Sequence, residues 1–154
     1  MPCHAAISDK FLILSLDTEI EKALRELKKK KLDTAVVVGE DGAVQGLFSL
    51  SIVMKNLLPV SVAMSDGIQL DVTVRAAPGI AKRLKKVYPL PVSDLMERKF
   101  NAVFPETAIW EAVNFLVMSP APLVVLEGGN QKFLGMITTQ SAMDELKRLQ
   151  ESES

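Results

Sequence analysis

The spacing of hydrophobic and polar residues in the first third of the chain predicts a strand, a helix, a hairpin and a second helix. An apolar run at 11–16 predicts the strand, and Thr18 and Glu21 have the spacing of a capping box that would begin the first helix. Two apolar runs, 35–38 and 44–48, flank a Glu-Asp-Gly turn and predict the hairpin. Residues at helical spacing define the apolar sides of the two helices: Ile20, Ala23, Leu24 and Leu27 in the first, and Ile52, Val53 and Leu57 in the second.

The same order of elements recurs at an offset of 89 residues, and one ungapped register holds over about 48 positions. Identical pairs are Lys10 and Lys99, Phe11 and Phe100, Thr18 and Thr107, Ile20 and Ile109, Ala23 and Ala112, Leu27 and Leu116, Gly46 and Gly135, Met54 and Met143, and Leu57 and Leu146. Conservative pairs include Val36 with Val125 and Ser49 with Thr138. Chance apolar matches would not also align a glycine, a threonine and a Lys-Phe pair, so the pattern predicts an internal duplication.

The fold predicted from this order is of the mixed α/β (α+β) class, with two β-α-β-β-α repeats at 1–58 and 92–150 and a disordered tail at 151–154. A unit of about 50 residues buries too little surface to be stable alone. We therefore expect the two repeats to share one core.

An inserted segment, 59–91, separates the repeats and contains half of the eight prolines of the chain. Alternating apolar residues predict a strand at 68–74, and Pro78 would begin a helix at 78–87. The outward face of this helix is basic, which indicates a solvated surface or a docking face for an acidic partner or for ligand phosphates: Lys82, Arg83, Lys85 and Lys86.

The second copy resembles a cystathionine β-synthase (CBS) domain. The resemblance is carried by the segments at 92–96, 103–107, 123–125 and 135–138, which read VSDLM, VFPET, LVV and GMIT, together with the helix that bears Ala112. The first copy, from about Ser8 to Leu58, looks like a weaker version of the same pattern. Two such domains in tandem form a Bateman module, and the resemblance covers about 100 of the 154 residues.

This resemblance implies two repeats related by a pseudo-twofold axis, with ligand clefts between them. It also implies a homodimer and a non-catalytic role in which the module regulates an unidentified protein partner. Ligands of the family are adenine nucleotides (AMP, ADP or ATP) and S-adenosylmethionine, which act as regulatory ligands, and no cofactor is required. The alternative is a degenerate pair that binds no nucleotide and acts as a dimeric scaffold.

Candidate ligand-binding residues lie where the last strand of each repeat leads into its closing helix. Gly46 and Gly135 would let a ligand approach the backbone, and Ser49 and Thr138 would begin the helix, whose free N–H groups attract anions. Each hydroxyl would also act as an ordinary helix N-cap.

The family pattern of Gly-apolar-apolar-Ser/Thr-x-x-Asp implies an aspartate that accepts hydrogen bonds from ribose, and this sequence departs from it twice. Ile52 stands there in the first copy and Ser141 in the second. Since serine can accept a hydrogen bond and isoleucine cannot, the cleft served by Gly135 and Thr138 is the preferred site. Cations that would compensate for the lost carboxylate are Arg98, Lys99 and Lys132.

Composition narrows the functional classes further. The net charge of −1 gives no reason to expect nucleic acid as a partner. Cys3 and His4 are the only cysteine and histidine, which excludes an intramolecular disulfide, a Cys/His zinc site and a Ser-His-Asp triad. Adjacent at a terminus, they make a weak case for a metal site across a dimer. The apolar runs are too short to span a bilayer, so we expect no membrane insertion and a cytoplasmic protein. Trp110 is expected to pack or to lie in a dimer interface.

Overall fold

The computed structural model describes residues 2–57, 70–119, 121–128 and 132–153. In the first repeat, the strand β1 pairs in parallel with β2, and β2 pairs antiparallel with β3 to form a three-stranded sheet. The elements of this repeat are β1 (Ile13–Ser15), α1 (Ile20–Lys30), β2 (Thr34–Val38), β3 (Val44–Ser49) and α2 (Leu50–Leu57).

The second repeat has the same topology, with β4 parallel to β5 and β5 antiparallel to β6. Its elements are β4 (Ala102–Val103), α4 (Ile109–Met118), β5 (Leu123–Leu126), β6 (Phe133–Ile137) and α5 (Thr139–Glu153). The predicted duplicated β-α-β-β-α fold is therefore confirmed.

The helix α3 (Leu70–Val87) lies between the two repeats in the sequence and replaces the strand predicted at 68–74. Residues 70–74 are helical, and residues 68 and 69 lie outside the described residues. A seven-residue alternation of apolar side chains is a weak signal, and helix propagation is cooperative once a longer helix has begun. Pro78 therefore lies inside the helix rather than at its start.

The disordered tail predicted from 151 is also wrong for residues 151–153, because α5 continues to Glu153. Residue 154 lies outside the described residues.

The predicted capping box at Thr18 is wrong as well. The Thr18 hydroxyl accepts a hydrogen bond from the Ser15 N–H at 3.2 Å, and Thr107 accepts one from the Phe104 N–H at 3.0 Å. Both hydroxyls therefore close the turn that precedes the helix, in equivalent ways in the two repeats.

The repeats end their first helices differently, and this shifts the ungapped alignment by one residue at the following strand. Lys31 ends α1 in the left-handed region, with φ 59°, whereas Ser119 ends α4 in an extended conformation. In consequence Val37 pairs with Gly46 in the first sheet and Val125 pairs with Gly135 in the second. The predicted match of Val36 with Val125 is thus wrong by one position. The offset of 89 residues holds again from the two glycines onward.

Each repeat completes its core with the segment that precedes the other repeat. Cys3 and Ala6 pack into the core of the second repeat, and Val92 and Met96 pack into the core of the first. The exchange is fixed by backbone hydrogen bonds at equivalent positions, from the Cys3 N–H to the Thr107 carbonyl at 2.7 Å and from the Val92 N–H to the Thr18 carbonyl at 2.8 Å.

A third apolar cluster joins the two sheets. Its buried members are Val36, Leu47, Val124, Leu126 and Met136. At its margin the Phe11 and Phe133 rings meet edge to face, with their centroids 5.0 Å apart. The repeats therefore share a core, as the small size of each predicts.

Within the described residues, no helix has both the length and the apolar character needed to cross a membrane.

Candidate functional site

Among the described residues, two clefts lie between the repeats, and each combines the start of one repeat's closing helix with the segment that leads into the other repeat. The larger, of about 750 Å³, is here called the basic cleft and is defined by Ser49, Ile52, Lys55, Glu97, Arg98 and Lys99. The other, of about 700 Å³, is called the acidic cleft and is defined by Asp9, Lys10, Thr138, Ser141, Asp144, Glu145 and Arg148. Both volumes are in the range of small-molecule sites.

In the basic cleft, Ser49 caps the helix α2. Its Oγ accepts a hydrogen bond from the Ile52 N–H at 3.2 Å, so the N-cap expected at Ser49 is confirmed. Ile52 and Lys55 are three residues apart on this helix, and both line the cleft. Ile52 was expected on the buried side of the helix, but it is only half-buried, and Val53 and Leu57 fill the core instead.

The opposite wall of the basic cleft is the chain leading into the second repeat. Glu97 exchanges two backbone hydrogen bonds with Leu47 of β3, at 2.8 and 2.9 Å, and its carboxylate accepts the Lys99 N–H at 3.0 Å. The segment is thereby held against the first repeat, and exposed Arg98 and Lys99 line the cleft. Within the described parts of the chain, Lys55, Arg98 and Lys99 form no ion pair with a carboxylate.

In the acidic cleft, Thr138 and Ser141 cap the helix α5 reciprocally. The Thr138 Oγ1 accepts the Ser141 N–H at 3.0 Å, and the Ser141 Oγ accepts the Thr138 N–H at 2.9 Å. The Ser141 hydroxyl also donates to the Thr138 carbonyl at 3.2 Å. The N-cap expected at Thr138 is confirmed, and the hydroxyl at Ser141 is already engaged by the helix end.

Glu145 gives this cleft a buried carboxylate, with only 6% of the residue exposed. Both of its oxygens accept hydrogen bonds from the Arg148 guanidinium, one of them from Nη2 at 2.9 Å. These hydrogen bonds lower the pKa of Glu145 below its ordinary value, so the group stays ionised at neutral pH.

The family model for the CBS domain matches residues 5–59 and 92–148, which is most of the chain. The chain belongs to the CBS domain family. Tandem CBS domains are regulatory, ligand-sensing modules, and the two matched segments make this chain such a CBS pair. No match was found among curated proteins.

Several solved structures share the fold of this CBS pair. A CBS domain-containing protein from Bacillus anthracis has a TM-score of 0.71 at 15% identity, covering 96% of this chain and 94% of that one. A hypothetical conserved protein from Geobacillus kaustophilus has a TM-score of 0.71 at 18% identity, covering 97% and 98%. The CBS-pair protein CBSX2, from Arabidopsis thaliana, was solved in complex with AMP, and that structure has a TM-score of 0.70 at 16% identity, covering 97% and 98%.

The two strand glycines of this CBS pair face the chain that leads into the other repeat and lie outside the described linings of both clefts, so the approach of a ligand to their backbone stays a prediction. A Cβ at Gly46 would lie 2.7 Å from the Glu97 carbonyl oxygen, and one at Gly135 would lie 2.5 Å from the Ile7 side chain. The space is filled by the chain leading into the other repeat. Both glycines are therefore needed for close packing between the repeats.

Arg98 and Lys99 were expected to assist the cleft of Gly135 and Thr138, but the structure places them in the basic cleft instead. Lys132 pairs with Ala43 across the two hairpins and lies outside the described linings of both clefts. Sequence reasoning missed Lys55 as a site residue, although its helical spacing from Ile52 was a signal.

Cys3 and His4 do not form the metal pair considered from the sequence. The Cys3 side chain is fully buried in the core of the second repeat and donates to the Phe104 carbonyl at 3.3 Å, whereas His4 is exposed. Burial raises the pKa of the Cys3 thiol above its ordinary value, which disfavours the thiolate that binds metals. No cluster of metal-binding side chains occurs among the described residues.

Proposed function

We propose that this CBS pair senses an adenine nucleotide, which binds in the basic cleft and changes how the module acts on a protein partner. The observation that carries this proposal is the concentration around a cleft of about 750 Å³ of three cations that have no ion-pair partner among the described residues. The AMP complex of CBSX2, a protein of the same fold, supports the choice of ligand class.

The cleft offers both halves of a nucleotide a suitable surface. Lys55, Arg98 and Lys99, together with the N-terminal end of α2, favour a phosphate group. Apolar side chains, among them Leu47, Phe100 and Pro122, also line the cleft and suit an adenine ring.

The choice of cleft differs from the sequence-based preference for the site of Thr138. Charge is the reason, because a phosphate brought into the acidic cleft would approach Asp9, Asp144 and Glu145. Among the ligands implied by the family, the basic cleft favours AMP, ADP or ATP over the cationic S-adenosylmethionine.

The route from ligand to partner begins with the segment that carries Arg98 and Lys99. Upstream it packs Val92 and Met96 into the first repeat, and downstream it enters β4 of the second. A ligand bound to this segment contacts the connection between the repeats, so it would favour the arrangement of repeats that binds it better.

Isothermal titration calorimetry with AMP, ADP, ATP and adenosine tests the proposal. We expect the three nucleotides to bind and adenosine, which lacks phosphate, to bind at least tenfold more weakly. The absence of both heat and a thermal shift at millimolar nucleotide would overturn it.

A second candidate function is a dimeric scaffold, and the outer surface of α4 favours it. Trp110, Val117 and Met118 are 68, 78 and 76% exposed, which leaves large apolar side chains in water. Light scattering coupled to size exclusion tests this candidate. A dimer that dissociates on Trp110→Lys substitution would support it, and a monomeric parent would exclude it.

A further inference from the structure

The two clefts are built from equivalent positions but carry opposite charge. The Ser8 N–H donates to the Met136 carbonyl at 2.7 Å, and the Glu97 N–H donates to the Leu47 carbonyl at 2.8 Å. The two donors, Ser8 and Glu97, are 89 residues apart in the sequence, and so are the two acceptors, Leu47 and Met136. This equivalence matches Asp9 with Arg98.

The closing helices extend the equivalence to further positions. Ser49 and Thr138 each accept, from the residue three positions later, the hydrogen bond that caps the helix. The same offset therefore matches Asp144 with Lys55, and Lys10 with Lys99. Charge is inverted at the first two of the three matched pairs and kept at the lysine pair.

The inversion changes the net charge of the whole lining. Among the described residues, the basic cleft has three cations and one carboxylate, for a net charge of +2. The acidic cleft has three carboxylates and two cations, for a net charge of −1. One of those cations, Arg148, is already bound to Glu145.

A second difference between the two clefts also makes the acidic cleft less suited to a phosphate group. At the start of α5, the Ser141 hydroxyl occupies the Thr138 N–H, so that donor is not available to a ligand. In the basic cleft the matched residue is Ile52, whose side chain cannot accept a hydrogen bond.

We infer that the charge inversion at positions 9/98 and 144/55 confines phosphate-bearing ligands to the basic cleft, so that each chain binds one nucleotide. Lys55 and Arg98 are then specificity-determining residues, and Asp9 and Asp144 exclude anions from the equivalent cleft. This inference rests on the proposed function, and it adds the number of nucleotides bound per chain and the reason why the basic cleft is the one that binds.

Calorimetry on the full chain with AMP tests the inference through the matched lysines. The parent should bind one AMP per chain. Lys99→Glu should weaken binding at least tenfold, and the control Lys10→Glu, at the equivalent position of the acidic cleft, should change affinity less than twofold. Lys10 and Lys99 are exposed, as are Asp9 and Asp144, which are changed in the double variant described next, so thermal unfolding of each variant should stay close to that of the parent.

The double variant Asp9→Arg/Asp144→Lys tests for gain of binding. It should bring the acidic cleft to a net positive charge and raise the stoichiometry to two AMP per chain. Two AMP bound by the parent, or equal losses in the two lysine variants, would overturn the inference while leaving the proposed function intact. If AMP, ADP and ATP give neither heat nor a thermal shift, the proposed function fails, and inorganic pyrophosphate becomes the probe. Pyrophosphate binding that is lost in Lys99→Glu alone upholds the inference, and any other result overturns it.

Discussion

The side chain at position 52 sets how the basic cleft would treat the sugar of a nucleotide. A carboxylate is the group with which proteins commonly bind ribose hydroxyls. Ile52 lines this cleft, and Glu97, the one carboxylate among the described lining residues, already accepts the Lys99 N–H. We therefore expect little discrimination between ribose and 2′-deoxyribose.

Substitution Ile52→Asp should create such discrimination. In the parent, AMP and 2′-deoxy-AMP should bind with affinities within about threefold of each other. In the variant, AMP should bind about tenfold better than its deoxy analogue, equivalent to about 1.4 kcal/mol. Calorimetric titration with both ligands measures the ratio, and Ile52→Leu is the size-matched control. An unchanged ratio in the aspartate variant would show that the sugar does not approach position 52.

Substituting alanine for glycine should destabilise the fold at two positions and stabilise it at a third. Gly135→Ala should destabilise the fold by about 1–3 kcal/mol, because its Cβ would clash with Ile7. Gly46→Ala should cost at least as much, because the clashing Glu97 oxygen belongs to the backbone. Gly79→Ala, in open space on α3, should stabilise by up to about 1 kcal/mol. Urea unfolding measures all three, and destabilisation by Gly79→Ala would contradict the account.

Among the elements, α5 combines two functions at its start and middle. Thr138 and Ser141 cap it, and one turn later Glu145 projects a buried carboxylate toward Arg148. Its counterpart α2 keeps the cap at Ser49 but has Lys55 at the position of Asp144 and Asn56 at the position of Glu145, so equivalent helices present opposite charge to their clefts.

The Glu145–Arg148 pair predicts a pH dependence of stability. The pKa of Glu145 is lower in the folded chain than its ordinary value of 4.5, so the pair stabilises the fold above that pH. This contribution is lost as the pH falls through the folded pKa. The advantage of the parent over Glu145→Gln in urea unfolding should therefore be present at pH 7 and should shrink below about 4.5. A pH-independent difference would contradict the ionised pair.

Elements whose apolar residues recur at a clear helical spacing could be predicted from the sequence. A segment whose pattern is compatible with both a strand and a helix could not. The apolar stripe of α1 is buried at Ile20, Ala23 and Leu27 as predicted. The alternation at 68–74 suggested a strand, whereas residues 70–74 belong to the longer helix α3. Met54 and Met143, at matching positions on the two closing helices, are more than half exposed. Their spacing could not show which side of each closing helix lacks a covering element.

At the scale of the whole molecule, the exchange of the segments at 3–11 and 92–101 decides which residues share a cleft. The sequence predicted the duplication and the N-caps, because both are local patterns. It could not show that Arg98 and Lys99 line the same cleft as Ser49 of the first repeat. That placement depends on Glu97 pairing with Leu47, a contact between positions 50 residues apart.

The basic cleft is the proposed site at which this CBS pair binds an adenine nucleotide. The most direct test is a crystal structure of the full chain with AMP. We expect one AMP per chain in the basic cleft, with its phosphate within hydrogen-bond distance of at least two of Lys55, Arg98 and Lys99. AMP bound in the acidic cleft against Thr138, or both clefts without nucleotide at saturating AMP, would contradict this proposal.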